Sequence, residues 1–473
     1  MTRREFLTVG ASAVAFPNVL LQSDDYDLVV RNGRVIDPES RLDGIRNVGI
    51  RGGRIASVST SELRGRRILD AAGLVVAPGF IDIISHGHDL ENDRLQLQDG
   101  VTTKLQMEAG ALNVDEWYGL QLGKRMANYG CAASHAAARR SVMGDRWSEA
   151  SSTDAEIAAM AIIVDRGLRE GGLGVGFGLE YQPGTTRWEV LEMFRVAGKH
   201  GASCHVHTRY GTLLEEQHNL TAISEVLSAS LVSGAPIHIV HVPSMALGGT
   251  SRSLQVIEEA QRKGFDVTCD FYPYTAFATG ISSEVFDVGW QTKFGIDYKD
   301  LQWAKTNERL TKESFEKYRK EGGTVIAHAI PEAAVQAAVK SRATMVGSDG
   351  SLTDGTGHPR ATGTFCRVLG HYSRDLGLIP LAEAVRKMTI MPARRFEKRC
   401  PEFKRKGRVQ VGADADLSVF DPRSVIDRAT FEKPAQTSVG MQWVLVAGKL
   451  AVDAGKLVED SRLGRPLRAK RSG

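Results

Sequence analysis

Residues 202–209 read Ala-Ser-Cys-His-Val-His-Thr-Arg, and about thirty residues later comes Ala-Pro-Ile-His-Ile-Val-His. Each stretch alternates apolar and polar residues as a strand does, and each ends on a histidine, His207 in the first and His241 in the second. In a barrel of parallel strands such ends converge on one mouth. Two neutral imidazoles meeting there would suit a divalent metal, with zinc–nitrogen bonds of about 2 Å. The chemistry this points to is that of a divalent-metal site completed by the rest of the chain. His205 shares a face with His207, and His238 faces away from His241, so both read as structural.

The totals set limits on the rest. A chain of 473 residues suits a large α/β domain with a smaller companion. Its 42% hydrophobic and 25% charged content is that of a globular protein. A net charge of +4 is too small to argue for nucleic acid. The one basic run, near 462–471, reads as a solvated tail. Five scattered cysteines, at 131, 204, 269, 366 and 400, argue for buried thiols and against a disulfide framework. At the start, Arg3-Arg4-Glu5-Phe6-Leu7 precedes a short apolar run ending in Ala13-Val14-Ala15. This pattern reads as a twin-arginine export signal, which implies passage through the Tat machinery to the periplasm or beyond. The run is too short to span a membrane, and no other segment looks transmembrane.

Several elements must position the histidines. Residues 25–76 are short strands with turn signals at Asn32-Gly33 and Gly52-Gly53. The segment 403–460 has the same character, so one small β-sandwich built from both ends is expected. Between them, over 77–402, strand patterns alternate with helical ones. Strands read at 100–108, 172–180, 202–207, 236–241, 266–274, 324–328 and 344–349. Helices read at 153–170 and from a capping box at Thr186-Arg-Trp-Glu189 to Gly201. Regular alternation favours a (β/α)8 barrel over a doubly wound sheet, since no glycine-rich phosphate loop follows an early strand. The polar stretch 280–322 reads as an excursion over the mouth. Residues 1–24 are then signal and linker, and 461–473 the tail.

The order of motifs resembles the amidohydrolase superfamily: Pro78-Gly-Phe-Ile-Asp82, His86-Gly-His88, Gly100-Val-Thr-Thr103, the strand-end histidines, and Gly347-Ser-Asp349. GLEYQPG (178–184), HVHTR (205–209), DFYPYTA (270–276), MVGSDG (345–350) and HPRATGTFCRVLGHY (358–372) resemble the N-acyl-D-amino-acid deacylase family more specifically. The likeness runs over about 26–460. It implies a metal-dependent hydrolase of C–N amide bonds, most simply a D-aminoacylase. His207 and His241 would be metal ligands. Asp349 would take a proton from the attacking water and pass it to the leaving nitrogen. Tyr272, Tyr274, Arg209, His358 and Arg360 become candidates for the substrate carboxylate.

Two positions depart from the family pattern. Ile84 stands where the first histidine of Asp-x-His-x-His belongs, leaving His86 in the second place and His88 two residues on. Ala109 stands where a bridging cysteine belongs, next to Glu108. A carboxylate can replace the thiolate, so Glu108, His207 and His241 are expected to hold one Zn2+ firmly, with His86 and His88 offering room for a second. Glu180 is the rival carboxylate. The lysine-bearing segment expected after the second histidine is also absent, Val242-Pro243 following His241. Alternative readings are therefore an exported dipeptidase, a cyclic-amide hydrolase, or a metal-binding member without turnover.

Overall fold

The computed structural model describes residues 26–472, so the export signal read over 1–24 lies outside the described residues. Eight strands form a parallel sheet: β1 (Phe80–Asp82), β2 (Val101–Ala111), β3 (Asn128–Ser134), β4 (Gly174–Gly178), β5 (Ser203–His207), β6 (Ile237–Ile239), β7 (Val267–Phe271) and β8 (Thr344–Val346). Each pairs with its neighbours in chain order. Past the ends of β1 and β8, a parallel bridge joins Ser85 to Gly350, and the N–H groups of His86 and Gly87 donate to the Gly350 carbonyl. The barrel therefore closes at its C-terminal rim, where the side chains with chemistry sit.

Helices wrap the outside, among them Asp154–Arg169, Arg187–Lys199, Asn219–Ser233 and Thr250–Arg262. Thr153 opens its helix with a full capping box to Glu156. The box expected at Thr186 is only half made. Thr186 accepts from the Glu189 N–H, but the Glu189 carboxylate turns inward to His135, Arg139 and Ser152. A buried cation outcompetes a frayed helix start for that carboxylate.

Two strand assignments change. Asn128–Ser134 is a barrel strand that alternation does not reveal, because both of its faces are buried. Thr324–Ala327 is a strand but not a barrel stave. It pairs antiparallel with Phe277–Gly280 and Leu301–Trp303 in a separate sheet. That sheet roots the 280–322 excursion, which packs around Phe277, Phe286, Trp290, Phe294 and Phe315 and contributes to the wall of the mouth.

The second domain is one nine-stranded mixed sheet drawn from both ends of the chain. Val75–Pro78 pairs with Leu417–Phe420, joining the two halves. Val30, Val48, Leu69, Val76, Leu417 and Leu445 share its core. The turn expected at Asn32-Gly33 is a bulge inside the long strand Tyr26–Asp37, with Asn32 at φ 60°. Gly52-Gly53 does turn the chain, between Leu42–Arg51 and Arg54–Ser59. The basic tail is not solvated. Leu467 and Ala469 are buried, and the Leu467 N–H donates to the Tyr129 carbonyl at the start of β3. Its few apolar residues find the foot of the barrel while Arg465, Lys470 and Arg471 stay exposed. All five cysteines are buried and free. Among the described residues no helix is long and apolar enough to cross a membrane.

Candidate metal centre and active site

Glu108 leaves β2 near its end and is 7% exposed. Its Oε1 lies 3.1 Å from His207 Nδ1 at the end of β5. Its Oε2 lies 3.5 Å from His241 Nε2, two residues past β6, and 3.5 Å from His86 Nε2, four residues past β1. Four strand ends thus converge on one carboxylate. The donor atoms of Glu108, His207 and His241 all fall within 4.8 Å of one another, as do those of His86, Glu108 and Asp349. Glu108 Oε2 is buried without a hydrogen-bond partner, which is the vacant valence a cation satisfies. Two imidazoles and a carboxylate at this spacing are a zinc donor set.

Asp349 faces the same point from β8. Its backbone is left-handed, φ 49°, and so is that of His241, φ 32°. Strained backbone of this kind persists where surrounding contacts hold it, and here they are visible. The Asp349 N–H donates to the Ile84 carbonyl at 2.8 Å, and the His241 N–H donates to Asp270 Oδ1 at 2.7 Å. Asp349 Oδ1 lies 2.9 Å from His86 Nε2, and Oδ2 lies 2.8 Å from Arg360 Nη1. Burial works against ionisation of Asp349, but the Arg360 guanidinium and His241 win, and its carboxyl stays below the usual range. Glu180 behaves alike: burial raises it, Lys293 and His207 lower it more, and it comes to rest at about 2. Both are proton acceptors rather than donors at neutral pH.

The other imidazole nitrogens have fixed partners. Ser244 Oγ lies 2.8 Å from His241 Nδ1, and Gln106 Oε1 lies 3.1 Å from His86 Nδ1. Glu180 Oε2 lies 3.0 Å from His207 Nε2. Partners on the far nitrogen are what orient a ligating histidine. His238 serves the centre indirectly, holding Asp270 Oδ2 at 2.7 Å while Asp270 holds His241. His205 stacks on Phe396 below.

Not every expected residue arrives. His88 turns away, its Nε2 3.1 Å from the Ser85 carbonyl and its ring against Trp117. Ile84 lies in the barrel core, and of the two histidines after it only His86 reaches the centre. Arg209 is spent as a strut, forked onto Glu225 and donating to the Thr185 carbonyl. Tyr274 donates to Asp427 behind the wall. Tyr272, His358 and Arg360 do line the cavity, which encloses about 800 Å³ with Glu108, His207, His241 and Asp349 on its floor. Arg360 stacks on the Tyr272 ring at 4.6 Å. Arg360 Nε and Tyr272 Oη are buried without hydrogen-bond partners. Residues not foreseen are Gln106, Ser244, Asp270 and Lys293. Only Asp270, a lone carboxylate ending an apolar strand, carried a signal in the sequence.

Comparison with known proteins agrees with this geometry. A family model described as "Amidohydrolase family" matches residues 296–452. The chain is 32% identical to a D-aminoacylase of Alcaligenes xylosoxydans xylosoxydans, over 90% of this chain and 94% of that protein. It is 33% identical to an N-acyl-D-glutamate deacylase of the same organism, over 89% and 93%. A crystal structure of the N-acyl-D-glutamate deacylase of Bordetella bronchiseptica superposes with a TM-score of 0.81 at 29% identity, covering 94% of this chain and all of that one. That structure holds zinc and a phosphonate inhibitor mimicking the tetrahedral intermediate of the reaction.

Proposed function

The chain belongs to the D-aminoacylase family of amidohydrolases, and from that premise we propose that it deacylates N-acyl-D-amino acids with a zinc ion held by Glu108, His207 and His241. The observation that carries the reading is the meeting of those three residues opposite Asp349, at the floor of a cavity open at the barrel mouth. Zinc bound there supplies Lewis acidity to an amide carbonyl and lowers the pKa of water toward about 7.

The chain's own residues supply the rest. Asp349, kept ionised by Arg360, accepts the proton of the attacking water and returns it to the departing nitrogen. His86 on Oδ1 and Arg360 on Oδ2 together set the orientation of the Asp349 carboxylate. Arg360 and Tyr272 line the cavity and carry donors without partners, a pair that suits the carboxylate of an acylated amino acid. They would hold that carboxylate in place of the absent lysine. Bound at that end, the substrate presents its amide to the floor. His86, Glu108 and Asp349 are the residues that would hold a second ion.

The test is a panel of N-acetyl-D- and N-acetyl-L-amino acids, dipeptides and hydantoins, run on zinc-loaded protein. Release of acetate from the D series alone is expected. Turnover confined to dipeptides or to hydantoins would reassign the substrate, and zinc binding without any turnover would remove the enzyme reading.

A further inference from the structure

Glu180 has two oxygens and two partners from different parts of the fold. It sits in the turn after β4, at Leu179–Tyr181, and is 9% exposed. Oε2 lies 3.0 Å from His207 Nε2, while His207 Nδ1 faces Glu108. Oε1 accepts from the Lys293 ammonium. Lys293 belongs to the short helix Trp290–Phe294 of the excursion, whose flanking Trp290 and Phe294 are buried in the aromatic nest. Glu180 therefore stands between the excursion and a metal-site histidine. It is near enough to the centre to be a ligand, yet it is outside the donor sets there.

A histidine that ligates through one nitrogen carries its proton on the other, and an acceptor there fixes the ring. A free carboxylate beside a cation would rather bind it directly. Resting on the zinc reading above, we propose that Glu180 and Lys293 are positioning residues. Glu180 holds His207 with Nδ1 toward the ion, and Lys293 holds Glu180 off the ion. Seating of the excursion over the mouth and alignment of a metal-site ligand then become one event.

The experiment measures zinc affinity by chelator competition, together with kcat and KM, in the full-length protein. The variants are Glu180→Ala, Lys293→Met, Lys293→Arg and the double variant Glu180→Ala/Lys293→Met. Circular dichroism of each metal-free protein checks folding. Loss of about tenfold to a hundredfold in zinc affinity is expected for Glu180→Ala. About tenfold is expected for Lys293→Met, with kcat falling more than KM rises, and Lys293→Arg should restore both. In the double variant Lys293→Met should add nothing to Glu180→Ala. Unchanged affinity in folded Glu180→Ala and Lys293→Met, or additive losses in the double variant, overturns the proposal. If the unmodified protein itself binds no zinc, the metal reading fails first, and the two failures are told apart by that control.

Discussion

In the proposed reaction Asp349 carries the proton, and its surroundings say how. Four groups meet it: the Ile84 carbonyl on its N–H, His86 and Arg360 on its two oxygens, and His241 at 4.0 Å. Asp349→Asn keeps the shape and removes the proton acceptor. Turnover should fall by about a hundredfold to ten-thousandfold, while the first equivalent of zinc, held by Glu108, His207 and His241, still binds. Near-normal turnover in a zinc-loaded Asp349→Asn protein would remove its role. At this scale the sequence was most informative where a residue type admits few uses. His207, His241, Glu108 and Asp349 were legible because strand ends in a barrel share a rim. Arg209 and Tyr274 were not, because a guanidinium or phenol serves a structural carboxylate as readily as a substrate. Glu225 and Asp427, the carboxylates that claim them, carry no motif.

Among the elements, helix Leu381–Met388 shows how the barrel's last stave is held. Lys387 is fully buried and donates to the carbonyls of Ser341 and Thr344 and to the Thr344 hydroxyl. Burial lowers its pKa from 10.5 to about 8, with Glu383 and Glu258 opposing and Arg386 adding to the shift. Below pH 8 the folded and unfolded chains both carry this proton, and the folded one bears the full cost. Between pH 8 and 10.5 the folded chain releases it first, so the unfolded chain binds more protons and stability rises with pH. The difference is on the order of 3 kcal/mol. Denaturant melts across that range should show the rise in the unmodified protein and not in Lys387→Met. Equal slopes in the two proteins would contradict it. Elements with a clean period, such as Asp154–Arg169 and β5, were readable from sequence. The strand β3 was not, since burial on both faces erases alternation. The Thr324–Ala327 strand was read as a strand but assigned to the wrong sheet, because period does not specify a partner.

For the whole molecule, the two ends meet in one sheet and the tail returns to the foot of the barrel. The composition of the tail hid this, because charge dominates a count and Leu467 and Ala469 decide the docking. From the N-terminal sequence pattern we propose a periplasmic or extracellular site of action. Replacing Arg3 and Arg4 together with lysine should leave the protein in the cytoplasm on cell fractionation, and undiminished export would count against it. What unites these levels is a barrel rim whose residues would gather a zinc ion and a proton acceptor for amide hydrolysis. The decisive experiment is a titration of zinc into metal-free protein while acetate release from an N-acetyl-D-amino acid is followed. Activity should climb with the first equivalent bound. Zinc uptake with no acetate released, or release that ignores zinc altogether, would contradict it.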